Sequence, residues 1–249
     1  MTSHTFETMG TVVSLVLPDR AGSGQAVSAV TNRFRDFDER YSLYREDSEL
    51  SRIARGELAL TASSEVLRAT YAAALDWRTA TGGAFTPHRP DDTIDLNGIV
   101  KALAMQAAAQ DILHAGFTDW CLNAGGDVLC SGREADGSPW QVGIVDPTNR
   151  ASLLFAVSMD GARHAIATSG SAERGDHIWS ATAIDPRFAQ ATVIADTIET
   201  ADVLATAIIA GGSIALESIL QRWRVDVLTV ARDGEMTATP GFASLLASS

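Results

Sequence analysis

The succession of helix-like and strand-like segments constrains the fold of this chain most strongly. Five short, apolar, strand-like runs lie between residues 118 and 168, and Gly, Pro and Asp residues separate them. This spacing predicts an antiparallel meander, because short strands joined by turn residues pair with their neighbours in the chain. Helix-like segments lie on both sides of this region. The sequence therefore predicts an α+β fold in which antiparallel or mixed sheets pack against helices.

The individual elements follow from apolar periodicity and from turn residues. The predicted strands are 11–17, 118–123, 127–131, 140–145, 152–158, 163–168, 192–195 and 225–231. The predicted helices are about 25–41, one that starts at 47–50, one that starts at 63 and ends at Gly82-Gly83, 99–114, about 200–210, and a last one that ends at Trp223. Residues 84–94 and 169–190 are predicted loops.

Length and charge limit the domain organisation and the partners. A chain of 249 residues without a linker or a fixed repeat is predicted to form one structural unit over residues 1–249. Its net charge of −12 opposes non-specific binding to nucleic acid, since phosphate contacts need clustered Lys and Arg. An anionic small molecule is compatible with this charge if positive groups or a metal ion are concentrated where it binds.

The N-terminal residues and the cysteines indicate the cellular compartment that we expect for the protein. The first residues lack a basic stretch followed by an apolar one, and no run reaches ~18 uninterrupted apolar residues, so we expect a cytoplasmic protein that does not associate with a membrane. Cys121 and Cys130 are too few for a disulfide framework or a four-cysteine zinc site. They are interpreted as reduced core residues, with a bridge between neighbouring strands as the alternative.

Lys101 is the single lysine of a chain whose other basic residues are arginines. Because an ammonium group differs from a guanidinium in geometry and hydration, its retention suggests that a compact positive charge is needed there. The alternative is that Lys101 has no special role and lies on a solvated helix face.

Asp202 and Thr206 lie four residues apart in a helical pattern, so their oxygens share one face and form a ligand pair suited to Mg²⁺. The alternative is a Thr bonded to its own helix carbonyl, with Asp near the helix N-terminus.

Two small-residue turns are further candidates for ligand binding. Gly125 and Gly126 allow close approach of the backbone, and Asp127 behind them can accept hydrogen bonds from a ligand hydroxyl or from turn amides. Ala167–Gly170, which contains Ser169, ends a strand and can present backbone N–H groups to phosphate oxygens. Both segments could also be plain turns. The chain contains no Walker A sequence, no Gly-x-Ser-x-Gly and no His-Glu-x-x-His, which removes the common NTPase, α/β-hydrolase and zincin signatures.

Taken in order, these segments resemble the ApbE-type FAD:protein FMN transferases, as a shortened and divergent member. The segments that carry the resemblance are Met9-Gly10-Thr11, Tyr44, Asp47–Ser51, Gly83-Ala84-Phe85, Asp95-Leu-Asn-Gly-Ile-Val-Lys101, Asn123–Asp127, Pro139–Pro147, Ala167–Gly170, Glu173-Arg174, His177-Ile178 and Ala201–Thr206. The chain departs from the family between Phe85 and Asp95, where a long segment is missing, and at Asn97 and Ala102, where the family has glycine.

The resemblance implies an ApbE-like α+β fold, with FAD as substrate and Mg²⁺ as cofactor. FMN would pass from FAD to a Ser or Thr hydroxyl of an unidentified acceptor protein, and AMP would leave. Lys101, Asp202 and His177 would be the catalytic residues, with His177 assisting proton transfer from the acceptor hydroxyl. The metal would be held by Asp202, Thr206 and the carbonyl of Val100. The cofactor-binding residues would be Met9, Tyr44, Asp95, Lys101, Gly125, Gly126, Asp127, Ser169, Glu173 and His177.

Two other functions stay open at this point: an FAD hydrolase that gives FMN and AMP, and a non-catalytic flavin-binding or interaction protein. A further hypothesis concerns residues 176–182, which resemble the acceptor sequence that the family modifies, an Asp followed by Ser or Gly, Ala and a terminal Ser or Thr. Because a hydroxyl in the same chain has a high effective concentration, Thr182 is a candidate for self-modification.

Overall fold

The computed structural model describes residues 1–159, 164–170 and 187–246. The strands are β1 Thr2–Thr8, β2 Thr11–Leu17, β3 Trp120–Ala124, β4 Asp127–Ser131, β5 Trp140–Val145, β6 Leu153–Met159, β7 Ala165–Gly170, β8 Phe188–Ala195, β9 Asp226–Ala231 and β10 Met236–Ala238. The helices are α1 Ser23–Tyr41, α2 Glu49–Ala54, α3 Glu65–Ala80, α4 Asn97–His114, α5 Ile198–Arg222 and α6 Pro240–Ser244, and a short 3-10 turn covers Leu60–Ala62.

Eight strands form one antiparallel sheet in the order β1-β2-β3-β4-β7-β8-β9-β10. The order follows the chain except between β4 and β7. There the chain leaves the sheet and forms the separate hairpin β5–β6. The prediction of a single meander over residues 118–168 is therefore wrong for these two strands, although their bounds are close to those predicted.

The central strands are buried on both faces, because each face packs against a different set of elements. Helices α4 and α5 cover one face, and α1 packs on α4; we call this the helix face. The β5–β6 hairpin and α6 cover the other, which we call the hairpin face. Alternation along the strands divides the side chains between the faces: Val193 belongs to the core on the helix face and Ile194 to the core on the hairpin face.

Cys121 and Cys130 are register partners on β3 and β4, and both belong to the hairpin face. Both are free cysteines, as the first of the two alternatives predicted. Burial raises the pKa of each thiol to about 12, and for Cys121 the neighbouring Cys130 adds to this shift. Both groups therefore remain protonated near neutral pH.

Helix boundaries follow their capping residues. Ser48 and Ser64 accept hydrogen bonds from the backbone N–H groups of Ser51 and Leu67, and so they start α2 and α3 where the sequence predicts. The two predicted helices after residue 198 are continuous through a kink at Gly212, whose φ of 61° lies in the left-handed region. Within the described residues, α5 alone has the length and composition to cross a membrane, and 61% of its most apolar stretch is buried in the fold.

Candidate functional site

Two hairpin turns and the end of a third strand lie together at one end of the sheet. Met9 and Gly10, both with positive φ, form the two-residue turn between β1 and β2, as type I′ hairpin turns require. The Gly125-Gly126 turn lies beside it, and Gly125 N–H donates to the Val12 carbonyl at 3.1 Å. A Cβ on Gly125 would lie 2.5 Å from the Thr11 hydroxyl oxygen, so only glycine fits this contact. The C-terminal end of β7 reaches the same end of the sheet.

Lys101 lies behind these turns, in the second turn of α4. Its side chain is 8% exposed, and its ammonium group forms an ion pair with Asp127, which is fully buried. The Asp202 carboxylate, on α5, is 2% exposed and its Oδ2 lies 3.9 Å from Lys101 Nζ. A solvated helix face is thus excluded for Lys101. We call Lys101, Asp127 and Asp202 the charged cluster.

Asp127 is oriented by the neighbouring strand. Its Oδ1 accepts a hydrogen bond from the Thr168 backbone N–H at 3.0 Å, while Oδ2 faces the Lys101 ammonium. The same residue therefore joins the β3–β4 turn to the end of β7 and holds the lysine. A buried carboxylate is costly unless it is paired and hydrogen-bonded, and both conditions are met here.

Asp202 and Thr206 lie one turn apart on α5, as the sequence predicts. The Thr206 hydroxyl lies 3.2 Å from the hydroxyl of Ser169 at the end of β7. Val100 precedes Lys101 in the first turn of α4 and is also buried. Carboxylate, hydroxyl and carbonyl oxygens are the hard ligands that Mg²⁺ prefers, and Mg²⁺ commonly binds through one or two carboxylates. The donor set of Asp202, Thr206 and Val100 therefore fits this ion. Among the described residues there is no group of three or more His, Cys, Asp and Glu side chains that could hold a metal ion, so the only acidic side chain of this donor set is Asp202.

Asp95 orients the start of α4. Its Oδ1 accepts a hydrogen bond from Asn97 N–H at 2.9 Å, and its Oδ2 pairs with Arg89 Nε at 2.8 Å. Arg89 lies in the short segment between Phe85 and Asp95. Sequence reasoning missed this arginine, although its position six residues before an acidic helix start is a usable signal.

The remaining predicted residues are not all brought to the charged cluster. Met9 is half-buried and packs against the core on the helix face. Tyr44 lies in the loop between α1 and α2 and is 76% exposed, so it is not part of the core. Glu173, His177 and Thr182 lie outside the described residues.

Gln190 is a second residue that sequence reasoning missed. It is 5% exposed, and its Nε2 has no hydrogen-bond partner in the described part of the chain. Gln190 and Thr192 are the two polar residues of the β8 run 188–195, and the amide at Gln190 is the stronger break in this mostly apolar pattern.

Comparison with known proteins identifies the family. The profile of the ApbE family matches residues 9–89 and 88–229, which is most of the chain. The chain belongs to the ApbE family. The two matches meet at residues 88–89, within the segment between Phe85 and Asp95.

Two curated ApbE relatives illustrate the similarity. The FAD:protein FMN transferase of Salmonella typhimurium is 28% identical over 173 residues, which cover 64% of this chain and 49% of that protein. The FAD:protein FMN transferase of Rhodobacter capsulatus is 33% identical over 173 residues, covering 65% of this chain and 32% of that protein. The chain thus matches half or less of the length of these relatives.

Solved structures confirm the ApbE fold. The flavin transferase ApbE from Vibrio cholerae superposes with a TM-score of 0.80 at 21% identity, over 98% of this chain and 99% of that one. The ApbE protein from Thermotoga maritima gives a TM-score of 0.80 at 20% identity, over 99% of both chains. The predicted α+β, ApbE-like fold is therefore confirmed.

Proposed function

We propose that this chain is a Mg²⁺-dependent FAD:protein FMN transferase, which moves FMN from FAD to a Ser or Thr hydroxyl of an acceptor protein and releases AMP. The observation that carries the proposal is the charged cluster, buried at the end of the sheet beside the hydroxyls of Ser169 and Thr206. Family membership and the names of the relatives support the choice of substrate.

The described side chains suit the binding of a pyrophosphate. The Lys101 ammonium supplies a compact positive charge, and an N⁺–H donor to a phosphate oxygen gives a short, strong hydrogen bond. The turn at Gly125-Gly126 exposes backbone close to the cluster, which lets a ligand approach without meeting a side chain. Asp127 keeps Lys101 in place, and Asp95 fixes the start of the helix that carries it.

Asp202, Thr206 and the Val100 carbonyl would hold Mg²⁺, which supplies a Lewis acid that neutralises phosphate charge as the bond between the phosphates breaks. In the overall reaction the acceptor oxygen bonds to the FMN phosphorus, the phosphorus–oxygen bond to AMP breaks, and AMP leaves with the bridging oxygen. The acceptor proton passes to a base, a role that the resemblance gives to His177. A cytoplasmic location and a single unit over residues 1–249 stay predictions from the sequence.

The test is incubation of the purified protein with FAD and Mg²⁺, with and without a peptide that carries the acceptor sequence described above. The proposal predicts AMP and a peptide whose mass has increased by one FMN, both dependent on Mg²⁺. AMP and FMN without peptide modification would instead indicate an FAD hydrolase. FAD binding without turnover would indicate a non-catalytic flavin-binding protein.

Intact-mass analysis of the protein in the same reactions tests self-modification. An FMN adduct that maps to Thr182 and disappears in Thr182→Val would support the hypothesis. An unchanged mass would contradict it.

A further inference from the structure

The charged cluster places one ammonium between two buried carboxylates, one of which is a proposed ligand of the cation. Lys101 pairs with Asp127 and lies 3.9 Å from Asp202 Oδ2, and all three side chains are at most 8% exposed. Little water is available there to screen their charges, so the interactions are stronger than on the surface.

We infer that the Lys101 ammonium is an internal counter-ion of Asp202 that competes with the divalent cation, and that binding of the FAD pyrophosphate relieves this competition. The inference rests on the proposed function, because it takes Asp202 as a ligand of the cation. It goes beyond that function by naming a device that makes cation binding depend on the nucleotide.

The competition follows from charge and distance. A divalent cation at the Asp202 carboxylate meets the positive charge of Lys101 in the same buried volume, and like charges repel strongly where water is excluded. Asp127 limits this repulsion because it holds the ammonium in closer contact than Asp202 does. The hydrogen bond from Thr168 N–H fixes Asp127 itself. Asp127 thereby keeps Lys101 from neutralising Asp202 completely.

A bound pyrophosphate changes the balance, because its negative charge attracts the same ammonium. The more the Lys101 charge is matched by phosphate oxygens, the less it opposes a cation at Asp202. Binding free energies are reciprocal, so FAD should raise cation affinity and the cation should raise FAD affinity by the same factor. Couplings between two ligands commonly amount to about 5- to 150-fold.

The experiment measures Mn²⁺ affinity in the absence of flavin, by calorimetry or electron paramagnetic resonance, since Mn²⁺ shares the oxygen coordination of Mg²⁺. The proteins are the parent, Lys101→Met, Asp127→Asn, the double variant of these two, and Asp202→Asn. Arg35→Met is the matched control, because Arg35 is exposed on α1 and its loss changes the net charge by the same amount. Thermal denaturation verifies that each variant is folded.

The two single variants should move Mn²⁺ affinity in opposite directions. Lys101→Met should bind Mn²⁺ at least about fivefold more tightly, because the competing charge is gone. Asp127→Asn should bind it at least about fivefold more weakly, because Lys101 is left with Asp202 as its carboxylate partner in the cluster. In the Lys101→Met background the Asp127→Asn effect should become smaller, and Arg35→Met should bind as the parent does.

A folded Lys101→Met protein with unchanged or weaker Mn²⁺ affinity would overturn the inference. If Lys101→Met does not fold, the test rests on Asp127→Asn. An unchanged Mn²⁺ affinity of Asp127→Asn would then overturn the inference. Asp202→Asn separates the two proposals. If Asp202→Asn still binds Mn²⁺ as the parent does, the proposed cation site is wrong as well. If Asp202→Asn loses binding but Lys101→Met changes nothing, the counter-ion inference alone fails.

Discussion

Both faces of the eight-stranded sheet are buried, but the side chains that bury them differ. The hairpin face is closed by apolar residues, among them Phe242 from α6 and Trp140 from β5, and by two protonated thiols. The helix face has an apolar core as well, yet the charged cluster lies within it at the end where the turns meet. Since buried charges cost free energy unless they are paired, this asymmetry supports the proposal that the helix face carries a binding site, while the hairpin face contributes to stability.

The largest expected effect on stability is at the hairpin face. Phe242→Ala should lower the free energy of unfolding by about 3–5 kcal/mol, because the phenyl ring is completely buried and its loss leaves a cavity. Chemical denaturation measures the change, with Phe242→Leu as a milder control. FAD affinity of the folded variant should match that of the parent. A folded Phe242→Ala protein with strongly reduced FAD affinity would show that the hairpin face contributes to the site.

The thiols test how well the hairpin face is closed. With pKa values raised to about 12, Cys121 and Cys130 carry very little thiolate at pH 8, so native labelling by iodoacetamide should be about 1,000-fold slower than for a free thiol of pKa near 8.5. The rate should rise with pH, because deprotonation creates the nucleophile. Guanidinium-unfolded protein is the control, in which both thiols label rapidly. Fast native labelling would contradict the closed packing described for this face.

Lys101→Ala tests the helix face by ligand choice. The substitution should lower the affinity for FAD by about 10- to 100-fold, which corresponds to the loss of a hydrogen bond between charged groups. The affinity for riboflavin should change little, because riboflavin has no phosphate. Fluorescence titration with both ligands gives the ratio. Equal losses for both ligands would indicate a folding defect. Unchanged FAD affinity would remove Lys101 from the phosphate site.

The smallest expected effect concerns one hydroxyl. Thr206→Val should weaken Mn²⁺ binding about tenfold, since it removes one oxygen donor without changing the shape of the side chain. Thr200→Val is the matched control. Like Thr206, Thr200 lies on α5 and its hydroxyl contacts the hydroxyl of a second residue, here Thr197. Its Mn²⁺ affinity should equal that of the parent. Equal behaviour of the two variants would exclude Thr206 as a ligand.

Apolar periodicity, capping residues and turn residues in the sequence predicted most of the helices and strands. Helix α4 was predictable from its apolar periodicity, and α2 from the Ser48 cap before an acidic first turn. Strand β1 was missed because Phe6 is its one large apolar side chain, so its alternation gives a weak signal. The separate β5–β6 hairpin was missed because alternation shows that a strand is buried on one face without showing which strands pair with it.

The candidate site was predictable in part. Asp202 and Thr206 share a helix face, and their spacing alone brings them together. The pairing of Lys101 with Asp127 was not predictable in this way, because it joins α4 to a turn 26 residues away and depends on how α4 packs on the sheet. The same holds for Thr168, which orients Asp127 through a backbone N–H group that no side-chain pattern reveals.

The most direct test of the central claim is FAD turnover by Asp202→Asn compared with the parent. Asn keeps the size of the side chain but removes the negative charge that would hold Mg²⁺. With FAD, Mg²⁺ and an acceptor peptide, we expect AMP release and peptide flavinylation to fall together by about 100- to 1,000-fold, as when a group that stabilises developing charge is removed. Thermal denaturation should show that the variant remains folded. Turnover equal to that of the parent, with the same dependence on Mg²⁺, would contradict the assignment of the charged cluster as the active site.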